Sequence, residues 1–156
     1  MALNYYLEVN DMGKTKQTIT GDLILGVDFD GNITTEPDMG KKLVLQPNCK
    51  DVLLSWYEKG YTLVLWTCRT GPSLDEALSF LLENDLFSIF TSINDQVPLV
   101  VTKYHPHVAR KLGADIYFDD KNAMTTVNWL DYAAFVEDKI KLEGWVIDGA
   151  TTEGAY

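Results

Sequence analysis

The chain has 156 residues, 46% of them hydrophobic and 23% charged, with a formal net charge of -10. That length fits one domain able to bury its own core, and two cysteines, Cys49 and Cys68, do not make a disulfide framework. The acidic balance excludes a general nucleic-acid surface, and no apolar run approaches the roughly 20 residues that span a bilayer.

The N-terminus comes first in chain order. Residues 1–6 lack the basic and apolar regions of a signal peptide, so a reducing, cytoplasmic setting is expected. Tyr5 to Val9 and Thr15 to Thr20 flank the turn-like run Asn10-Asp11-Met12-Gly13 and predict a β-hairpin. The hairpin would edge the main sheet or serve a partner contact, including a second copy of the chain. Leu23 to Val27 is a short apolar run that ends in carboxylates and reads as a buried strand. Residues 31–47 read as a loop, punctuated by Gly31, Pro37, Gly40 and Pro47.

Cys49, Val52, Leu53, Trp56 and Tyr57 then recur at helical spacing, with Asn48 as N-cap and Gly60 as the stop. Tyr61 to Trp66 is the second buried strand. A helix follows Gly71-Pro72, with Ser73 and Glu76 at capping-box spacing and Leu74, Ala77, Leu78, Leu81 and Leu82 as its apolar face. Phe87 to Phe90 reads as a third strand, residues 91–105 as irregular with Pro98 and Pro106 interrupting, and His107 to Leu112 as a short helix before Gly113. Asp115 to Phe118 is the next strand. A last helix covers Asn128 to Leu142, and residues 143–156 form a tail.

Strand–helix alternation predicts a mostly parallel sheet with helices on both faces, and such sheets bind ligands at the carboxyl ends of their strands. Asp28, Thr67 and Asp119 each follow an apolar strand-like run, so three chemically useful residues converge on one edge. Asp28 and Asp30, two residues apart, share a face, and Gly31 lets the chain turn sharply beside them. With Asp119 and Asp120 they make four clustered carboxylates. At about 4 Å and an effective dielectric of ~20, each close pair costs on the order of 4 kcal/mol. Such a cluster needs a cation, shared protons or both. Oxygen-only ligands favour Mg²⁺, which pairs naturally with a phosphate substrate.

In this order, Asp28-Phe29-Asp30-Gly31, Thr67, a lysine and Asp119-Asp120 resemble the four motifs of the haloacid-dehalogenase-like (HAD) superfamily of aspartate-nucleophile phosphotransferases. The resemblance covers roughly residues 22 to 125. It implies a single Rossmann-like α/β three-layer sandwich over residues 22–142, with residues 1–21 as a hairpin extension. It also implies a Mg²⁺-dependent phosphomonoesterase, with a nucleotidase as one narrower version. Asp28 would attack phosphorus and Asp30 would protonate the leaving oxygen, then activate water. Asp28, the backbone carbonyl of Asp30 and Asp119 would hold Mg²⁺, supported by Asp120. Thr67 would bond the phosphoryl group and the lysine would offset its charge. Lys111, just before the motif-four strand, is preferred to Lys103.

The candidate substrate-binding set is Thr67, Cys68, Arg69, Gly31 and Asn32. Asn32 departs from the family, which usually has Thr or Val there, and bears on how the motif-one loop is held. Arg69 has two equal readings, a substrate contact or an ion pair with the acidic wall. Cys68 also reads as buried packing, Asp115 as structural, Arg110 as a surface residue, and His105 and His107 as surface or substrate-rim residues. Trp56, Trp66, Trp129 and Trp145 read as core. Neither interval between motifs has room for a cap domain, so the site is open or is closed by residues 31–47, residues 91–106 or another subunit. An open site suits bulky phosphorylated substrates as well as small ones. Two other classes compete. A phosphoacceptor signalling module uses similar residues in a different chain order, and a catalytically silent binding protein would have kept the acidic residues without their activity.

Overall fold

The computed structural model describes residues 4–9, 15–20, 23–36, 42–124, 126–143 and 146–147. Four strands form one all-parallel sheet: β3 (Ile24–Val27), β4 (Thr62–Leu65), β5 (Phe90–Ile93) and β6 (Ile116–Phe118), in the order β5-β4-β3-β6. Strands β1 (Asn4–Val9) and β2 (Thr15–Thr20) pair antiparallel as the expected hairpin. The hairpin does not edge the main sheet: β2 pairs instead with β7 (Val146–Ile147), in a separate sheet ordered β1-β2-β7. The expected C-terminal tail therefore contributes a strand. The turn at 10–13, Pro37, Gly40 and Trp145 lie outside the described residues.

Alternation along the central strands builds a core on each face. Leu25, Val27, Leu63, Leu65, Ile116 and Phe118 face helices α1 (Cys49–Glu58), α2 (Gly71–Glu83) and α4 (Trp129–Glu143). Ile24 and Val64 face the other way, onto Val97, Leu112 and Val100 of α3 (Pro98–Tyr104). This is a Rossmann-like α/β sandwich, as expected. Gly26 is needed for the thinner layer, because a Cβ there would lie 2.8 Å from the Leu112 side chain. Among the described residues, no helix is long and apolar enough to cross a membrane.

Several element boundaries differ from expectation. Helix α1 starts after Asn48, but Asn48 is left-handed (φ 63°) and caps nothing with its side chain. Gly60, at φ +83°, is the stop. Helix α2 starts two residues early. Ser73 sits in its first turn, where its hydroxyl accepts from the Thr70 N–H and donates to the Thr70 carbonyl. Leu82 on its expected apolar face is 66% exposed. The third strand lies three residues later than expected, because Phe87–Ile89 closes a 3₁₀ turn. The short helix precedes Pro106 rather than following it. Pro98 was expected to interrupt; it opens α3, where a missing N–H costs nothing.

Candidate active site

Strand β3 delivers Asp28 to the carboxyl edge, where its N–H donates to the Phe118 carbonyl (2.9 Å). The chain then makes one turn, Phe29–Ile33, driven by its own pattern. Phe29 and Ile33 are wholly buried, and Phe29 packs edge-on against Phe80, with ring centroids 5.9 Å apart. Asp30 between them is extended, and Gly31 is left-handed at φ +69°. One cleft of about 250 Å³ is walled by Asp28, Asp30, Glu36, Cys68, Asp119, Asp120 and Lys121.

Asp28, Asp119 and Asp120 each offer a carboxylate oxygen, all within 4.8 Å of one another, an arrangement that could hold a metal ion. The Asp30 side chain is not in that cluster. Burial, the charge of Asp119 and a hydrogen bond with Asp120 push the Asp28 carboxyl up to about 7.

A second cleft, about 280 Å³, shares Asp28 and Asp119 and is walled further by Trp66, Lys111, Tyr117 and Asn122. Lys111 lies there with its Nζ 5.3 Å from the Tyr117 ring centroid. Lys103 sits on α3 and lines neither cleft.

Thr67 follows β4 as expected, and its loop is locked. The Asn94 Oδ1 accepts the Thr67 N–H (2.8 Å), the Asn94 Nδ2 donates to the Arg69 carbonyl (3.2 Å), and the Thr67 Oγ1 accepts the Arg69 N–H (3.2 Å). Asn94 itself needs a left-handed backbone, φ 51°. Sequence reasoning missed Asn94. Its signal was a polar residue directly after a strand, obscured because that strand, Phe90–Ile93, is half polar and lies three residues later than expected.

The two readings of Arg69 separate here: its guanidinium makes the ion pair. Nε donates to Asp30 Oδ2 (2.8 Å) and Nη2 to Asp30 Oδ1 (2.7 Å), while Nη1 donates to the Ser73 carbonyl (2.9 Å) and to Glu76 (3.0 Å). Cys68 is exposed on the cleft wall, so it is not buried packing. Asp115 is structural, as expected: its Oδ2 accepts the Ile24 N–H where β3 starts.

Asn32 and Gly31 do not contact the cleft as expected of substrate-binding residues. Asn32 is fully buried. Its Nδ2 donates to the carbonyls of Asp28 (3.1 Å) and Phe118 (3.0 Å), and its Oδ1 accepts from the Tyr132 hydroxyl (2.9 Å). Trp129 Nε1 donates to its carbonyl at 2.8 Å. Asn32 therefore ties the motif-one loop to β6 and α4.

Gly31 is buried with Asp120 against it: an added Cβ would lie 2.5 Å from Asp120 Oδ2. Gly31→Ala should cost about 1–2 kcal/mol in backbone strain alone and push Asp120 out of the carboxylate cluster. Urea denaturation and divalent-cation titration should show both losses together. Weakened folding with unchanged cation affinity would separate Gly31 from the cluster.

The fold and site thus define a Rossmann-like α/β protein with a carboxylate cluster at the carboxyl edge of its sheet. No family model matches the chain, and no curated protein matches it. Among solved structures, it is similar to a conserved protein from Bacteroides thetaiotaomicron. The two are 27% identical with a TM-score of 0.64, over 76% of this chain and 93% of that one.

Proposed function

We propose that the protein is a Mg²⁺-dependent phosphomonoesterase that works through an aspartyl-phosphate on Asp28. The observation that carries the reading is the convergence of Asp28, Asp119 and Asp120 within 4.8 Å at the edge where a parallel sheet takes its ligands. Three carboxylates, with no nitrogen or sulfur ligand in the group among the described residues, suit a hard cation. Mg²⁺ bound there would offset the charge of the carboxylates and of the phosphoryl oxygens.

The chain's own residues supply the rest. An Asp28 oxygen attacks phosphorus as the P–O bond to the leaving group breaks, and Asp30 gives that oxygen a proton. Asp30 then takes a proton from water, whose oxygen bonds phosphorus and releases Asp28 and inorganic phosphate. Lys111, at the wall beside Asp28, faces the developing negative charge. Thr67, rigid through Asn94, is the phosphoryl-binding hydroxyl.

The test is turnover of nucleoside monophosphates, sugar phosphates and aryl phosphates, with Mg²⁺ and with chelator. Mg²⁺-dependent release of phosphate from any of them is expected. A phosphorylated protein that accumulates without turnover would point instead to a phosphoacceptor module. No turnover and no phosphorylation would leave a binding protein.

A further inference from the structure

Lys111 is carried by a segment with no regular structure of its own: residues 107–115 belong to no helix or strand. A lysine is a point charge on a flexible four-carbon stem, so the place of its ammonium depends on how its backbone is held. Here one side chain does most of the holding. The Gln96 Nε2 donates to the Lys111 carbonyl (2.6 Å) and to the Ala109 carbonyl (3.0 Å), and its Oε1 accepts the Gly113 N–H (2.8 Å). The bonded groups lie at Lys111 and two residues to either side of it.

Tyr117 on β6 holds the same segment from the sheet. Its hydroxyl donates to the Leu112 carbonyl and accepts the Ala114 N–H (3.4 Å), while its ring lies 5.3 Å from the Lys111 Nζ. Gln96 is itself anchored. Its N–H donates to Asp95 Oδ1 (2.8 Å), and the Ser92 hydroxyl donates to the Asp95 carbonyl (2.6 Å). Two positions earlier, Asn94 locks the Thr67 loop. The short run after β5 therefore sends one amide to the loop of Thr67 and another to that of Lys111. Gln96 lines neither cleft, so any effect it has on a substrate passes through a neighbour.

We propose that Gln96 is a positioning residue that sets Lys111 at the wall of the Asp28 cleft, the turn Asn94-Asp95-Gln96 fixing Lys111 and Thr67 relative to each other. This rests on the phosphomonoesterase reading and adds to it a scaffold on the loop after β5.

The distinguishing measurement sets turnover beside inhibition by orthovanadate, whose five-coordinate adducts imitate a phosphoryl group in transfer. An inhibition constant does not depend on how much of a sample is folded, whereas turnover does. A charge placed for the transition state is read by both. With Mg²⁺ present, Lys111→Ala should lower kcat about 10²-fold, as loss of one oxyanion donor does, and weaken vanadate binding comparably. Gln96→Met keeps the side chain's length and removes its hydrogen bonds. It should lower kcat and weaken vanadate binding about tenfold each, because a displaced group forfeits part of its effect. The double variant should lose no more than Lys111→Ala alone. Tyr117→Phe, which keeps the ring and drops the hydroxyl, should show the pattern at smaller amplitude and carries the test if Gln96→Met does not fold.

Unchanged vanadate inhibition in Gln96→Met, or in Tyr117→Phe where it stands in, would overturn the positioning role while leaving the phosphatase reading standing. So would a double variant worse than Lys111→Ala, or a Lys111→Ala variant as active as wild type. A wild type inactive on every ester would overturn both.

Discussion

Asp28→Asn should cut phosphomonoester turnover by at least about 10⁴-fold, as loss of a nucleophile does elsewhere, and should make the cation-free protein harder to unfold at pH 8. The lost turnover follows from the missing nucleophile, and the gain in stability from the missing charge. Burial and the neighbouring Asp119 and Asp120 raise the Asp28 carboxyl from 3.8 to about 7. The folded chain therefore holds this proton more tightly than the unfolded one. That contribution to stability is fully present below the unfolded value and is lost as pH rises through about 7.

Full conversion of the difference would be about 4 kcal/mol. Asp28 is only part-buried, and solvent screening reduces it to on the order of 2 kcal/mol. An asparagine carries no charge at either pH, so the variant's advantage should appear at pH 8 and vanish near pH 4. Urea denaturation in chelator at both values checks this. Mg²⁺ at pH 8 should restore stability to the wild type and do less for the variant, since a ligand stabilises the state that binds it. A variant with wild-type turnover would remove Asp28 as nucleophile. A variant less stable at pH 8 would remove the electrostatic account of its cost.

Asn32→Ala should be the most damaging small substitution near the site, at about 3–5 kcal/mol. It deletes three buried or part-buried hydrogen bonds and leaves the Tyr132 hydroxyl and the Asp28 carbonyl without those partners. Each buried group left unpaired costs about 1–3 kcal/mol. The Phe118 carbonyl suffers less, because it still accepts the Asp28 N–H. Tyr132 is held in its neutral, donating form: burial and the charges of Asp120, Asp119 and Asp28 push its hydroxyl up to about 12. Asn32→Thr should recover part of the loss, since a hydroxyl can accept from Tyr132 and donate to one carbonyl. Thermal and urea unfolding of both variants measures this. An alanine variant within about 1 kcal/mol of wild type would mean that water takes over the amide's bonds.

Tyr132 and Asn32 show why parts of this site were hidden in the sequence. They lie 100 positions apart, and nothing local distinguishes this asparagine from one that faces a substrate. Arg69 and Asp30 are 39 positions apart, and sequence left both readings of the arginine open. The placement of α3 failed for a nearer reason. By composition Pro98 reads as a breaker, whereas at a first helical position it is a starter.

The Asp28 cluster itself was legible from the chain alone. Strands buried on both faces are written as unbroken apolar runs, and a polar residue directly after such a run must emerge at the sheet's carboxyl edge. That rule located Asp28, Thr67 and Asp119 without any knowledge of packing, and with them the parallel sheet. Packing decided which neighbours those residues meet. The three carboxylates that share a site are Asp28, Asp119 and Asp120, while Asp30 belongs to Arg69. Lys111 rather than Lys103 walls the cleft, and Gly31 and Asn32 support the loop from beneath. Backbone periodicity sets which edge a residue reaches. Its partner there depends on side chains brought from distant segments, which only the folded chain puts together.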